Sequence, residues 1–80
     1  MDNQLVQAGE FTVTLGLSHG GHYIFITHRD TGHQWMSKSS VDAKYDLTGI
    51  ATNIELGITT FYPDSVTRSC DPRFWMPVKQ

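Results

Sequence analysis

Residues 10–28 read EFTVTLGLSHGGHYIFITH. Phe11, Val13, Leu15 and Leu17 alternate with Thr12, Thr14 and Gly16, the period-two pattern of a strand with one buried face. Gly20-Gly21 then reverses the chain, because the pair permits positive φ at both central positions of a two-residue hairpin turn. That turn sets His19 opposite His22, Leu17 opposite Ile24, Leu15 opposite Ile26 and Val13 opposite His28. One side of the hairpin is therefore Phe11, Val13, Leu15, Leu17, Ile24 and Ile26, a core face. On the other side Phe25 lies over Gly16, where a ring covers exposed backbone.

Downstream, Asp30-Thr31-Gly32 reads as a three-residue loop, with Asp starting the turn and Gly ending it. His33–Ser37 returns as a third strand, with Trp35 facing Thr27 and Met36 facing Ile26. The expected unit is a three-stranded antiparallel meander. Its second face would carry Tyr23, Phe25 and Trp35. Upstream, residues 1–9 are polar and aperiodic and are expected to fray.

The middle of the chain fits two periods. Ala43, Leu47, Ile50, Ala51, Ile54 and Ile58 fall on one side of a helical wheel. A Ser39/Asp42 capping box would start that helix and Gly57 would end it. Yet Ile50, Thr52, Ile54, Leu56, Ile58, Thr60 and Tyr62 also alternate at period two. The strand-like run Ile58–Tyr62, with Gly49 inside any helix, favours a short helix or turn near 40–48 and a strand at about 54–62. A helix over 40–56 is the alternative. Pro63-Asp64-Ser65 is a turn. Prolines confine the tail to an edge strand or an extended segment, with Phe74, Trp75 and Met76 covering a sheet face.

Composition agrees with strands. Val, Ile, Thr, Phe, Tyr and Trp make up 28 of 80 residues, against two Glu, three Lys and three Ala. Surface helices are normally built from the last three types. The expected fold is mainly β, a small antiparallel sheet or barrel-like single domain over 1–80, becoming α+β if a helix forms near 40–56. A chain this short has a small core and usually needs a staple. Cys70 is the only cysteine, so no disulfide closes within one chain. A lone cysteine and the lack of any signal-like or membrane-length apolar run point to a soluble, cytoplasmic protein.

The chemistry is sparse. Net charge is −2, from six Lys and Arg against eight Asp and Glu, so nothing supplies the positive field that nucleic-acid binding uses. His19 and His22 are the weak metal candidates, as cross-strand neighbours. His28 lies six residues beyond His22, or ~20 Å along a strand, and His33 sits at the opposite turn. The four histidines cannot converge on one ion, and no metal or other cofactor is expected. Cys70, Ser65 and Ser69 lack any motif that would pair them with a base, so no enzyme is expected. The order of meander and then helix resembles, in outline, some integrase-arm DNA-binding domains. Their basic groove-reading residues are absent here, so no site residue carries over.

What remains is contact chemistry. Exposed aromatics and arginines mark protein interfaces, and the candidates are Arg29, Asp30, His33, Trp35, Tyr62, Arg73 and Trp75. The expected function is a non-enzymatic binding module for a protein partner, of the kind found among small inhibitor or accessory proteins of phages and mobile elements. Homodimerisation is a further expectation, because unpaired strand edges invite pairing. The alternatives are single-stranded nucleic-acid binding on the Tyr23/Phe25/Trp35 face and metal binding at the hairpin histidines.

Overall fold

A computed structural model describes residues 5–64 and 70–78. Five antiparallel strands form one sheet in sequence order: β1 (Leu5–Ala8), β2 (Phe11–Ser18), β3 (Gly21–His28), β4 (Gln34–Ser37) and β5 (Trp75–Val78). One helix, α1 (Thr48–Glu55), lies between β4 and β5 in the chain. The fold is mainly β, as composition indicates.

The central hairpin forms, with its turn one residue earlier than expected. His19 (φ 51°) and Gly20 (φ 80°) are the two turn residues, and Ser18 pairs with Gly21. Both positions need positive φ, which glycine takes freely and histidine tolerates better than most side chains. Gly21 is occupied otherwise: a Cβ there would lie 3.3 Å from Ser40 Cβ. The shifted turn moves the register by two, so Leu15 meets Ile24, Val13 meets Ile26 and Phe11 meets His28. An even shift preserves the faces. Val13, Ile24 and Ile26 are buried on one of them, while Leu17, expected in the core, is 72% exposed beyond the last core contact. Phe25 still covers Gly16, whose added Cβ would come 2.9 Å from its ring.

The next loop has the opposite consequence. It holds four residues, Arg29–Gly32, rather than three. The His28 N–H donates to the His33 carbonyl at 2.8 Å, and the Gly32 N–H to the His28 carbonyl at 2.8 Å. Trp35 therefore pairs with Ile26, and Met36 with Phe25. A register one residue off exchanges faces, so Trp35 leaves the expected aromatic platform and is fully buried in the core.

Two further expectations give way. Residues 5–8, placed in a frayed terminus, pair with β2 through a two-residue turn at Gly9-Glu10, with Gly9 at φ 60°; glycine first is the signature of that turn. The strand expected at about 54–62 does not form; the stretch near 40–48 holds a turn, with the Tyr45 N–H donating to the Asp42 carbonyl at 2.9 Å, and the helix is α1, inside the 40–56 range of the alternative. It starts from Leu47, not from a Ser39/Asp42 box, and has no side-chain cap; just before it Asp46 accepts from the Thr48 N–H (3.0 Å) and hydroxyl (2.7 Å). These bonds hold the Asp46 carboxyl below its ordinary range. Gly57, with positive φ, follows its end. Leu47, Ala51 and Phe61 join Ala8, Val13, Ile24, Ile26, Trp35 and Trp75 in one buried cluster on one side of the sheet. The turn expected at Pro63-Asp64-Ser65 falls partly outside the described residues, as do Ser65 and Ser69.

The tail is an edge strand, as its prolines require, but it extends the sheet instead of lying across it. Alternation sends Trp75 to the core, while Phe74 and Met76 stay exposed. The Lys38 N–H donates to the Phe74 carbonyl at 2.9 Å. Alternation of bonded pairs then points the Trp75 and Pro77 backbones away from β4. The Trp75 N–H is taken by the Asp71 carbonyl at 3.0 Å, and proline has none. Among the described residues, the outer edge of β5 thus offers no free donor, a common defence against edge pairing. Pro77→Val restores one donor and is expected to raise self-association above wild type at equal concentration in sedimentation velocity. Identical profiles would show that the proline is not what closes this edge.

Candidate functional site

The tight turn before β5 decides what the C-terminal segment presents. The Asp71 carbonyl accepts the Phe74 N–H (3.2 Å) and the Trp75 N–H (3.0 Å). Its carboxylate accepts the Arg73 N–H (3.0 Å) and two guanidinium donors (3.2 and 3.1 Å). Those Arg73 bonds hold the Asp71 carboxyl below the usual carboxylate range. Pro72 suits such a turn, because its fixed φ removes freedom at its second position. The result is a clamped loop with Phe74 pointing outward and the Arg73 guanidinium 5.3 Å from its ring centre, within cation–π range.

The facing wall is the segment leaving α1. The Ile58 and Thr59 N–H groups both donate to the Asn53 carbonyl (2.9 and 3.2 Å), which fixes the exit from the helix. Phe61 then plugs into the core against Phe11, Trp35 and Trp75, at ring distances of 5.9, 5.0 and 5.4 Å. With Phe61 inward, Ile58 and Tyr62 face out. Ile58, Tyr62 and Phe74 are 69%, 56% and 58% exposed, and all three line one cleft of about 470 Å³ with Trp75 and Cys70. A second cleft of about 300 Å³ lies on the other side of Phe74, lined by Val41, Ile50, Lys38 and Arg73 among others. Phe74 is the ridge between them.

Cys70 is half-buried in the first cleft, its thiol 3.7 Å from the Trp75 carbonyl. Burial, helped by Asp71 and opposed by Lys38, pushes its pKa up. A raised pKa keeps the thiol protonated and a poor nucleophile. No histidine lines either cleft.

The candidate residues read from the sequence separate into groups. Tyr62, Trp75 and Arg73 come together around Phe74. Arg29 and Asp30 lie in the β3–β4 loop. His33 donates through Nδ1 to the Pro63 carbonyl at 2.8 Å, next to Tyr62. Trp35 is core and presents nothing to a partner, so the aromatic platform reduces to half-buried Tyr23 and Phe25. His19 and His22 are not cross-strand neighbours, because His22 pairs with Leu17. Ile58 and Phe74 were not among the sequence candidates. The available signal for Phe74 was Asp71-Pro72, which marks a turn and so interrupts the apolar run.

Compared with protein-family models, curated proteins and solved structures, the chain matches none. Among the described residues no helix is long and apolar enough to cross a membrane.

Proposed function

We propose that this chain is a non-enzymatic binding module that acts on a protein partner, as an inhibitor or accessory factor, through the cleft flanking Phe74. One observation carries the reading. Three large apolar side chains on two separate segments are held outward around a single cleft, although the small core could have used them. Exposed apolar groups scattered singly are ordinary; grouped around a concave surface they mark an interaction site. Ile58 and Phe74 are held by backbone bonds, so little ordering would be lost there on binding. Arg73 stacked on Phe74 supplies the aromatic and arginine pairing favoured at interface centres.

The test is a reconstituted complex. A partner captured on the tethered chain is identified, purified and titrated against wild type, Phe74→Ala and Tyr62→Ala. Phe74→Ala is expected to weaken binding by about 2–4 kcal/mol, the range of a central interface residue. The urea midpoint should stay near wild type, because the side chain is exposed. Failure to capture any partner, or a Phe74→Ala titration equal to wild type, would remove the reading.

A further inference from the structure

We propose a divalent-cation site at the opposite end of the β2–β3 hairpin from its histidine-bearing tip, where two turns meet, formed by Glu10, His28 and Asp30. Glu10 belongs to the β1–β2 turn, Asp30 to the β3–β4 loop, and His28 ends β3 beside both. One ligand atom from each lies within 4.8 Å of the other two.

The imidazole is the anchor. Its side chain is 7% exposed, and the Phe11 ring packs 5.1 Å from it. Nδ1 lies 2.9 Å from Thr31 Oγ1. Nε2 lies 3.1 Å from Glu10 Oε1 and is aimed into the cluster. Metal-bound histidines are arranged this way, with one ring nitrogen donating to an oxygen and the other presenting its lone pair. With the proton on Nε2 this contact is a hydrogen bond to Glu10; with the proton on Nδ1, donated to Thr31, the Nε2 lone pair and the carboxylate instead face a position that a metal ion can take.

Among the described residues, no arginine or lysine forms an ion pair with either carboxylate. Arg29, adjacent to Asp30, gives its guanidinium instead to the carbonyls of Phe11 (3.1 Å) and Gly9. Ligands of a four-coordinate ion stand about 3.4 Å apart at bond lengths near 2.1 Å. Glu10, 74% exposed, and exposed Asp30 can close to that spacing by rotamer changes alone. One imidazole and two carboxylates suit Zn²⁺ or Mn²⁺ better than Mg²⁺. The ion would cross-link two turns 20 residues apart in sequence, supplying the staple that a chain this size without a disulfide lacks.

The test is calorimetric titration of Zn²⁺ into the chelator-treated full chain. One equivalent is expected, with affinity at least 10-fold weaker in each of Glu10→Gln and Asp30→Asn. Both variants are at exposed positions and should fold; His28→Gln is a secondary variant, because burial puts its folding at risk. A His19→Ala/His22→Ala chain should bind as wild type. In the wild-type chain, Zn²⁺ should shift the His28 ring ¹⁵N resonances. The site is overturned by no stoichiometric uptake, by uptake that survives Glu10→Gln/Asp30→Asn together, or by uptake lost with His19 and His22.

Discussion

Trp35→Ala is expected to remove about 3–5 kcal/mol of stability, the usual cost of truncating a buried aromatic to alanine. An 80-residue chain holds roughly 4–12 kcal/mol in total, at ~0.05–0.15 kcal/mol per residue, so this one change would consume a large share of it. Trp35 is fully buried. Its ring meets Phe61 at 5.0 Å and Phe11 at 6.1 Å, and β4 holds its backbone between β3 and β5. Far-UV circular dichroism across a urea gradient is the measurement. With a slope of roughly 1–3 kcal/mol per M, the midpoint should fall by more than 1 M, or the folded baseline should disappear. A loss below about 1 kcal/mol would take Trp35 out of this core and would refute the observed β3–β4 register.

That register shows what the sequence could and could not convey. The faces of the central hairpin were legible because they depend only on the parity of the pairing. Sliding the turn from Gly20-Gly21 to His19-Gly20 changed every partner and no face. The β3–β4 connection had no such protection. Whether Arg29 belongs to the strand or the loop is a choice of one residue, and local chemistry at Asp30-Thr31-Gly32 permits both. The decision comes from a distance: the core needs a large ring between Ile26 and Phe61, and only the four-residue loop delivers Trp35 there.

The region 48–62 was undetermined for a related reason. Its apolar residues satisfy both periods, so neither pattern excludes the other. An open sheet with one aliphatic face has to be covered. A helix that turns Ala51 inward, together with Leu47 and Phe61 on either side, does so, where another strand would only widen the sheet. β1 was missed because four residues are too few to show a period, although Gly9-Glu10 carried its turn signal. The cleft was half legible. Tyr62, Arg73 and Trp75 were named from residue type, but which member of Phe74-Trp75-Met76 faces out depends on the Asp71 clamp and on strand alternation.

Phe61→Ala is expected to cost a similar 3–5 kcal/mol, and unlike Phe74→Ala it should disturb fold and binding surface together. Residues 58–62 have no ladder bonds. Their attachment is the pair of donors to Asn53 at one end, the His33 bond to Pro63 just past the other, and the burial of Phe61 between them. Alanine at 61 would leave the outward positions of Ile58 and Tyr62 without the inward side chain that sets them. Amide hydrogen exchange can separate the two consequences. If Phe61 is the anchor, exchange at 58–62 should accelerate more than exchange in β2 and β3 under conditions where the sheet stays folded. Partner affinity should fall with it, although residue 61 itself is buried. If acceleration is uniform across the chain, the segment unfolds only with the whole, and the cleft wall has no independent support from that ring. Loss of affinity in Phe74→Ala at unchanged stability, set beside joint loss in Phe61→Ala, would distinguish a contact residue from the residue that holds the contact surface in place.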